Sequence, residues 1–253
     1  MTEGKTQTGR REPPAFRRVR VANTARLGPR MVRVTFAGDE LSGLKIEDPA
    51  ASVRLLLPDP GEDLAIPTWN GNEFLRADGS RPLIRTFTPR RFDAAVPELD
   101  LDMVLHTAGA ASAWALQSTQ GAEAAISGPG RGYEVDAKVT DYLLVGDESA
   151  IPAISQLLEA IAPNATIRVH LEVDGEFGQV EVPGHPGRQL TWHTLGDEER
   201  GSHIVKALAA EEIDVDTAIW CAGQAAAMQK VRNHLFKDRG VARAQGTVRG
   251  YWK

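Results

Sequence analysis

The hydrophobic pattern of this chain changes near residue 137, and this change constrains the fold more than any other feature. Before it, segments such as "FRRVRVANT" and "MVRVTFAG" alternate apolar and polar residues, which is typical of half-buried strands. After it, apolar strand-like segments such as "DYLLVGDES" alternate with helical ones such as "AIPAISQLLEAIA". We therefore expect a disordered arm at 1–14, one domain at 15–136 and a second domain at 137–253.

The first half predicts a small antiparallel β-barrel. Further strands are expected in "SVRLLLPDPG", "PLIRTFTPRRF", "PELDLDMVLHT" and "AEAAISGPGRGY". The Gly-, Pro-, Asp- and Asn-rich residues 59–82 predict loops on a hairpin, and one short helix is expected near Ala111–Ser118. About six short strands separated by turn residues favour a barrel.

The second half predicts an α/β domain with a parallel sheet. Strands are expected in "ATIRVHLEV", "QLTWHTLG", "TAIWCAG" and "GTVRGYWK". Helices are expected in "GSHIVKALAAEEI" and in "QAAAMQKVRNHLFKDRG", where Gly240 ends the helix. In such sheets ligands bind beyond the carboxyl ends of the strands.

Composition excludes several classes of function. The net charge of −5 argues against a nucleic-acid partner. A single cysteine, Cys221, allows no internal disulfide, and no apolar run approaches the length of a membrane helix, so we expect a cytoplasmic protein without membrane insertion. The scattered histidines form no metal motif, and no nucleophile elbow or Walker loop is present. Basic residues dominate positions 1–35, either as solvated strand faces or as a field that attracts an anionic small molecule.

Residues 85–88, Arg-Thr-Phe-Thr, place a cation, an aromatic ring and two hydroxyls on one predicted strand. A flavin dinucleotide needs such a set: a guanidinium for its pyrophosphate, an aromatic cover for its ring and a hydroxyl near its reactive edge. The segment Gly109 through Ser112 offers backbone N–H groups to a pyrophosphate, or is a plain connection from strand to helix.

Two strand ends in the second half are candidates for a nucleotide site. In "LLVGDESAIPAI", Gly146 allows a tight turn, and the next helix offers N–H groups to an anion. The acidic pair Asp147–Glu148 departs from a glycine-rich dinucleotide loop and disfavours a second phosphate; the alternative is an ordinary capped helix start. In "IWCAGQAAA", Cys221, Gly223 and Gln224 are expected at the same edge, although a lone cysteine is more often part of the core.

Taken together, these segments resemble the siderophore-interacting proteins, which are flavin-dependent ferric-siderophore reductases of the ferredoxin–NADP reductase superfamily. The resemblance runs from about Phe16 to Lys253 and is carried by the segments "RTFTPRRFD", "ELDLDMVLHTAGAASAWA", "ISGPGRGY", "LLVGDESAIPAISQLLEAI", "WCAGQAAAMQKVRNHL" and "VRGYWK". It implies an N-terminal FAD-binding barrel, a C-terminal NADH- or NADPH-binding domain, and an anionic ferric siderophore as substrate.

The resemblance also implies residue roles. Arg85 would hold the FAD pyrophosphate, Thr86 and Phe87 would contact the cofactor, and Thr88 would be the catalytic residue near flavin N5. Phe87 stands where the family usually has tyrosine, so it keeps the ring and lacks the hydroxyl. The other implied cofactor-binding residues are Val104, Leu105, His106, Ala111, Ser112, Trp114 (near the adenine), Asp147, Glu148, Ser149, Gly223, Tyr251 and Trp252.

The implied substrate-binding residues are basic: Arg54, Arg131, Arg249 and Lys253. The expected reaction is a hydride transfer from NAD(P)H to FAD, followed by single-electron transfer to the ferric siderophore, in a monomer without a protein-bound metal. Two alternatives are a reductase that serves a protein acceptor and a non-catalytic siderophore-binding protein. No set of four cysteines is present, so the chain itself holds no iron–sulfur cluster.

Overall fold

The computed structural model describes residues 13–106 and 109–253, apart from the side chain of Glu176. The predicted disordered arm at 1–14 lies outside the described residues except for its last two. The elements of the N-terminal half are β1 (Arg17–Gly28), β2 (Met31–Ala37), β3 (Val53–Leu57), β4 (Thr68–Trp69), β5 (Phe74–Leu75), β6 (Leu83–Phe87), β7 (Pro89–Asp93), β8 (Glu98–Val104), α1 (Ala110–Gln117) and β9 (Glu123–Ser127).

The N-terminal half is an antiparallel sheet, as the sequence predicts. Its strands lie in the order β6-β3-β9-β1-β2-β8-β7. The alternating apolar residues of its strands form one core, which includes the fully buried Val34, Phe36, Leu55 and Leu101. Helix α1 adds Ala111 and Ala115 to the same core. The glycine-rich segment 59–82 carries only the two-residue strands β4 and β5.

The sheet closes into a barrel at Thr88. Strand β6 pairs with β3 at one edge of the strand order, and β7 pairs with β8 at the other edge. Thr88 is the residue between them, so the chain leaves one edge and joins the other at this point. The prediction of one continuous strand in "PLIRTFTPRRF" is therefore wrong, because a single straight strand could not pair with both edges.

The C-terminal half contains β10 (Asp141–Asp147), α2 (Ile151–Ala160), β11 (Thr166–Val173), β12 (Arg188–Thr194), α3 (Ser202–Ala210), β13 (Ala218–Gln224), α4 (Ala225–Asn233) and β14 (Gly246–Trp252). The sheet is fully parallel, in the order β12-β11-β10-β13-β14. Helix α2 packs on one face with Leu144, while α3 and α4 pack on the other with Leu143 and Val145. Because both faces of β10 are covered, its sequence is apolar at consecutive positions.

Two predictions in this half need correction. The helix predicted in "QAAAMQKVRNHLFKDRG" is α-helical only to Asn233 and continues as a π-helical turn over His234–Asp238. Cys221 was expected at the ligand edge, but its side chain is fully buried between β13 and helices α3 and α4. This burial raises the pKa of the thiol, so Cys221 is a core residue and not a reactive one.

The two halves are joined by polar contacts across a seam. Arg30, in the turn between β1 and β2, forms two bonds of 2.8 and 3.1 Å to the carboxylate of Glu148. Arg90 binds Glu159 of α2 through bonds of 2.9 and 2.6 Å. Arg249 of β14 donates to the carbonyl oxygens of residues 50, 131 and 132 at 2.8–3.3 Å.

Among residues 13–106 and 109–253, none of the helices has the length and apolar character that crossing a bilayer requires.

The Arg30–Glu148 pair gives a test of the seam. Glu148 is only 4% exposed, so Arg30→Ala would leave a buried carboxylate without its cation. We expect a loss of about 3–5 kcal/mol in the free energy of unfolding, measured by urea denaturation. Arg26→Ala is the matched control, since the Arg26 side chain is exposed and, within the described part of the chain, bonds to the carbonyl of Pro29 and to no carboxylate. Equal effects of the two substitutions would contradict the role assigned to this ion pair.

Candidate functional site

Arg85 and Phe87 lie on one face of β6, and Thr86 lies on the other, because side chains alternate along a strand. The Arg85 side chain is exposed and donates to the carbonyl of Ile84 at 2.9 Å; among the described residues it has no carboxylate partner. Phe87 is half-buried and packs against the barrel core. The edge of the barrel therefore presents an unneutralised guanidinium two residues from an aromatic ring.

Thr88, which closes the barrel, lies beside the C-terminal strand. It is 6% exposed, and both Thr88 and Arg249 lie close to the hydroxyl of Tyr251. Burial raises the pKa of Tyr251, and these two contacts oppose the rise. Tyr251 also meets Trp220 edge-on, with ring centroids 6.3 Å apart. The structure thus brings a predicted terminal aromatic to the predicted catalytic hydroxyl.

Ser112 of α1 connects the first turn of the helix to the end of β8 through two hydrogen bonds. The Ser112 hydroxyl accepts from the backbone N–H of His106 at 3.2 Å and donates to the carbonyl of Val104 at 3.3 Å. Leu105 bonds to the carbonyl of Arg30 at 2.8 Å. The His106 ring lies against Gly109, and a Cβ at this position would have to displace that exposed side chain.

Among the residues that the structure describes, no side chain caps the start of α1. Since the Ser112 hydroxyl is already used within the turn, the groups left for an anion are the backbone N–H groups of the first turn, which include that of Ala111. Trp114 is half-buried and stacks on Phe36, with ring centroids 6.1 Å apart. This contact fixes Trp114 against the barrel core; its expected place near an adenine stays a prediction.

Asp147 ties together three strand ends on the parallel sheet. Its carboxylate accepts from the backbone and hydroxyl of Ser149 at 2.9 and 2.5 Å, from the backbone of Gln224 at 2.7 Å and from Nε1 of Trp252 at 2.9 Å. Gly223 allows this approach, because a Cβ there would lie 2.7 Å from an Asp147 oxygen. Asp147 caps the turn after β10, and it also holds the ends of β13 and β14.

The four predicted substrate-binding cations do not form one cluster. Arg131 and Arg249 line a cavity of about 420 Å³ at the seam, together with Asp48, Gly132, Tyr133, Glu134 and Thr247. Arg249 is held there by backbone carbonyls and therefore also anchors the two domains. Arg54 lies on β3 opposite Thr86, and Lys253 is exposed at the end of the chain. Within the described residues, no contact links Arg54 or Lys253 to the cavity.

The sequence reasoning missed three residues around Asp147 and Glu148. Arg30 holds Glu148, Asp174 follows β11, and Arg200 binds Asp174 at 3.0 Å while its guanidinium lies 5.3 Å from the centre of the Trp252 ring. The only signal for Arg30 in the sequence was its place among the basic residues of positions 1–35.

The donor set at the barrel edge fits FAD. An unpaired guanidinium at Arg85 and an uncapped helix start at Gly109 suit a pyrophosphate. The Phe87 ring and the Thr88 hydroxyl at the point of barrel closure suit the flavin ring. These groups surround the same core cluster, to which Phe87 and Ala111 both belong.

Comparison with known proteins agrees with this geometry. Residues 20–133 match the siderophore-interacting FAD-binding domain, and residues 139–253 match the siderophore-interacting protein family. The crystal structure of a siderophore utilization protein from T. fusca is 30% identical and has a TM-score of 0.84, with 96% of this chain and 94% of that chain covered.

Two named enzymes are among the relatives. Ferric vibriobactin reductase ViuB of Vibrio cholerae is 26% identical, over 88% of this chain and 84% of that protein. The NADPH-dependent ferric-chelate reductase of Escherichia coli is 29% identical, over 83% of this chain and 82% of that protein. The chain belongs to the siderophore-interacting protein family, with the family's FAD-binding domain as its barrel and the family's C-terminal domain as its parallel sheet.

Proposed function

We propose that this protein is an NAD(P)H-dependent reductase that uses FAD to reduce ferric siderophores and so releases ferrous iron in the cytoplasm. The observation that carries the proposal is the meeting of the two domains at Thr88. There the barrel edge with Arg85 and Phe87 ends next to Tyr251 of the C-terminal strand, and Tyr251 packs in one hydrophobic cluster with Met31 and Val104 of the barrel. Residues of both domains could therefore contact a cofactor that is bound at this seam.

The cofactor would supply the redox chemistry and the protein the positioning. When bound, FAD would supply the conversion of the two electrons of an NAD(P)H hydride into single electrons for two ferric ions. Arg85 and the first turn of α1 would bind the pyrophosphate, and Phe87 would cover one face of the ring. Thr88, oriented by Tyr251, would hold a hydrogen bond at flavin N5.

The substrate would approach the seam as an anion, although the whole chain carries a net charge of −5. The cavity at the seam offers an anion the guanidinium groups of Arg131 and Arg249, which lie beside the carboxylates of Asp48 and Glu134. Ferric iron binds hard oxygen ligands through its high charge, and the reduced ion binds the same ligands more weakly. Reduction therefore releases the metal without a protein ligand for it.

Arg85→Ala should weaken FAD binding, because it removes a charge-assisted contact to the pyrophosphate. We expect a loss of about 1.5–3 kcal/mol in binding free energy, measured by flavin fluorescence titration of the apoprotein. Arg81→Ala is the control, since Arg81 is exposed nearby and is already paired with Glu73. Unchanged FAD affinity in Arg85→Ala would remove Arg85 from the site.

Phe87→Tyr should tighten FAD binding if a hydroxyl at this position steadies the flavin. The half-buried ring of Phe87 keeps its contact with the barrel core in either residue. The measurement is FAD retention through gel filtration, with Phe87→Leu as the variant that removes the ring. Equal or weaker retention by Phe87→Tyr would show that only the ring matters.

The activity is tested by anaerobic reduction of the FAD-loaded protein with NADH or NADPH, followed by a panel of ferric chelates in the presence of a ferrous trap. We expect bleaching of the flavin absorbance by at least one nucleotide, and reoxidation coupled to formation of the ferrous complex. A protein that retains no FAD, or whose reduced flavin transfers electrons only to a protein acceptor such as a ferredoxin, would contradict the proposal.

A further inference from the structure

We propose that the end of β11 selects NADH over NADPH and that Asp174 is the residue that sets this preference. The inference rests on the proposed function, because it concerns the nucleotide that reduces the flavin. It assigns a role to a cluster of charges that the sequence reasoning did not identify.

The position of Asp174 follows from the strand order. Numbered within the domain, β12-β11-β10-β13-β14 is the order 3-2-1-4-5 of a dinucleotide-binding sheet. The turn after β10 carries Asp147 and Ser149, and Asp147 lies opposite Glu172 of β11. In sheets of this order the adenosine ribose lies over the end of the second strand, which here is the position of Glu172 and Asp174.

Asp174 neutralises the two guanidinium groups closest to it. A single oxygen, Oδ2, lies 3.1 Å from Nη2 of Arg30 and 3.0 Å from Nη2 of Arg200. Arg30 is further bound by both oxygens of Glu148, and Arg200 lies against the Trp252 ring. Neither arginine is therefore free to receive a 2′-phosphate.

The lysines of the neighbouring elements are also paired. Lys206 of α3 binds Glu198 at 2.9 Å, and Lys230 of α4 binds Glu199 at 2.7 Å. A 2′-phosphate at this edge would therefore lie near carboxylates, and the arginines and lysines there already form ion pairs with those carboxylates. Like charges at short range disfavour binding, and a phosphate needs arginine or lysine as partner.

Of the two carboxylates at the end of β11, the exposed one of Asp174 suits a ribose hydroxyl, whereas the buried one of Glu172 positions its neighbours. Glu172 is 1% exposed and accepts from the backbone of Gly201 at 2.8 Å through Oε1, which holds the residue next to Arg200 in place. Its Oε2 has no partner in the part of the chain that the structure describes. The Asp174 side chain is 41% exposed and can accept from a 2′-hydroxyl while it holds both arginines.

The test measures nucleotide binding without hydride transfer. ADP-ribose and 2′-phospho-ADP-ribose, which cannot reduce a flavin, are titrated by calorimetry into the FAD-loaded protein. We expect the wild type to bind ADP-ribose about tenfold more tightly, and Asp174→Asn to improve binding of the phosphorylated probe about tenfold, since Arg200 becomes available to it while Arg30 stays bound to Glu148. Binding of ADP-ribose should change less than binding of the phosphorylated probe.

The matched control is Asp197→Asn, which removes one negative charge from the loop after β12. Asp197 is exposed and has no ion-pair partner among the described residues, so this variant should keep the wild-type ratio of affinities. Adding Arg200→Gln to Asp174→Asn should reverse the gain for the phosphorylated probe. An equal gain in both single variants would overturn the role of Asp174, because it would reflect net charge alone.

The wild-type titration decides between the two proposals without any variant. Tighter binding of 2′-phospho-ADP-ribose, together with flavin bleaching by NADPH, would overturn the NADH preference and leave the proposed function standing. Binding of neither probe, together with no bleaching by either nucleotide, would overturn both.

Discussion

The structure depends on the buried ion pair between Arg30 and Glu148. It joins the first turn of the barrel to the turn after β10 of the parallel sheet, and Glu148 is only 4% exposed. The pair acts mainly as a constraint, since burying two charges brings little net stability but losing one partner is costly. With the seam fixed in this way, Thr88 and Tyr251 meet, although they lie in different domains.

Asp147 extends this constraint along the edge of the parallel sheet. Its carboxylate hydrogen-bonds to the turn after β10 and to the ends of β13 and β14. These bonds fix the position of the terminal aromatic pair Tyr251–Trp252 at the edge of the sheet. The acidic pair that departs from a glycine-rich loop is thus explained: both carboxylates hold other parts of the protein. The phosphate-binding role of that turn would then fall to backbone N–H groups, and the ribose would be recognised at the neighbouring strand end.

The sequence was sufficient for the two-domain architecture, because alternation and apolar runs are local patterns. Contacts between residues that are distant in the chain could not be predicted from such local patterns. Arg30 binds Glu148, and Asp174 binds both Arg30 and Arg200, but none of these pairs has a local signature. The break at Thr88 depends on which strands its flanking segments join, and the burial of Cys221 depends on the face that α3 and α4 cover. Residue roles toward the cofactor stay predictions for the same reason.

The most direct test is a crystal structure of the protein with FAD bound. The account predicts the flavin ring at the seam, against Phe87 with its N5 edge at Thr88, and the pyrophosphate on Arg85 and the first turn of α1. A flavin bound away from the Thr88–Tyr251 contact, or a pyrophosphate that leaves Arg85 in solvent, would contradict it.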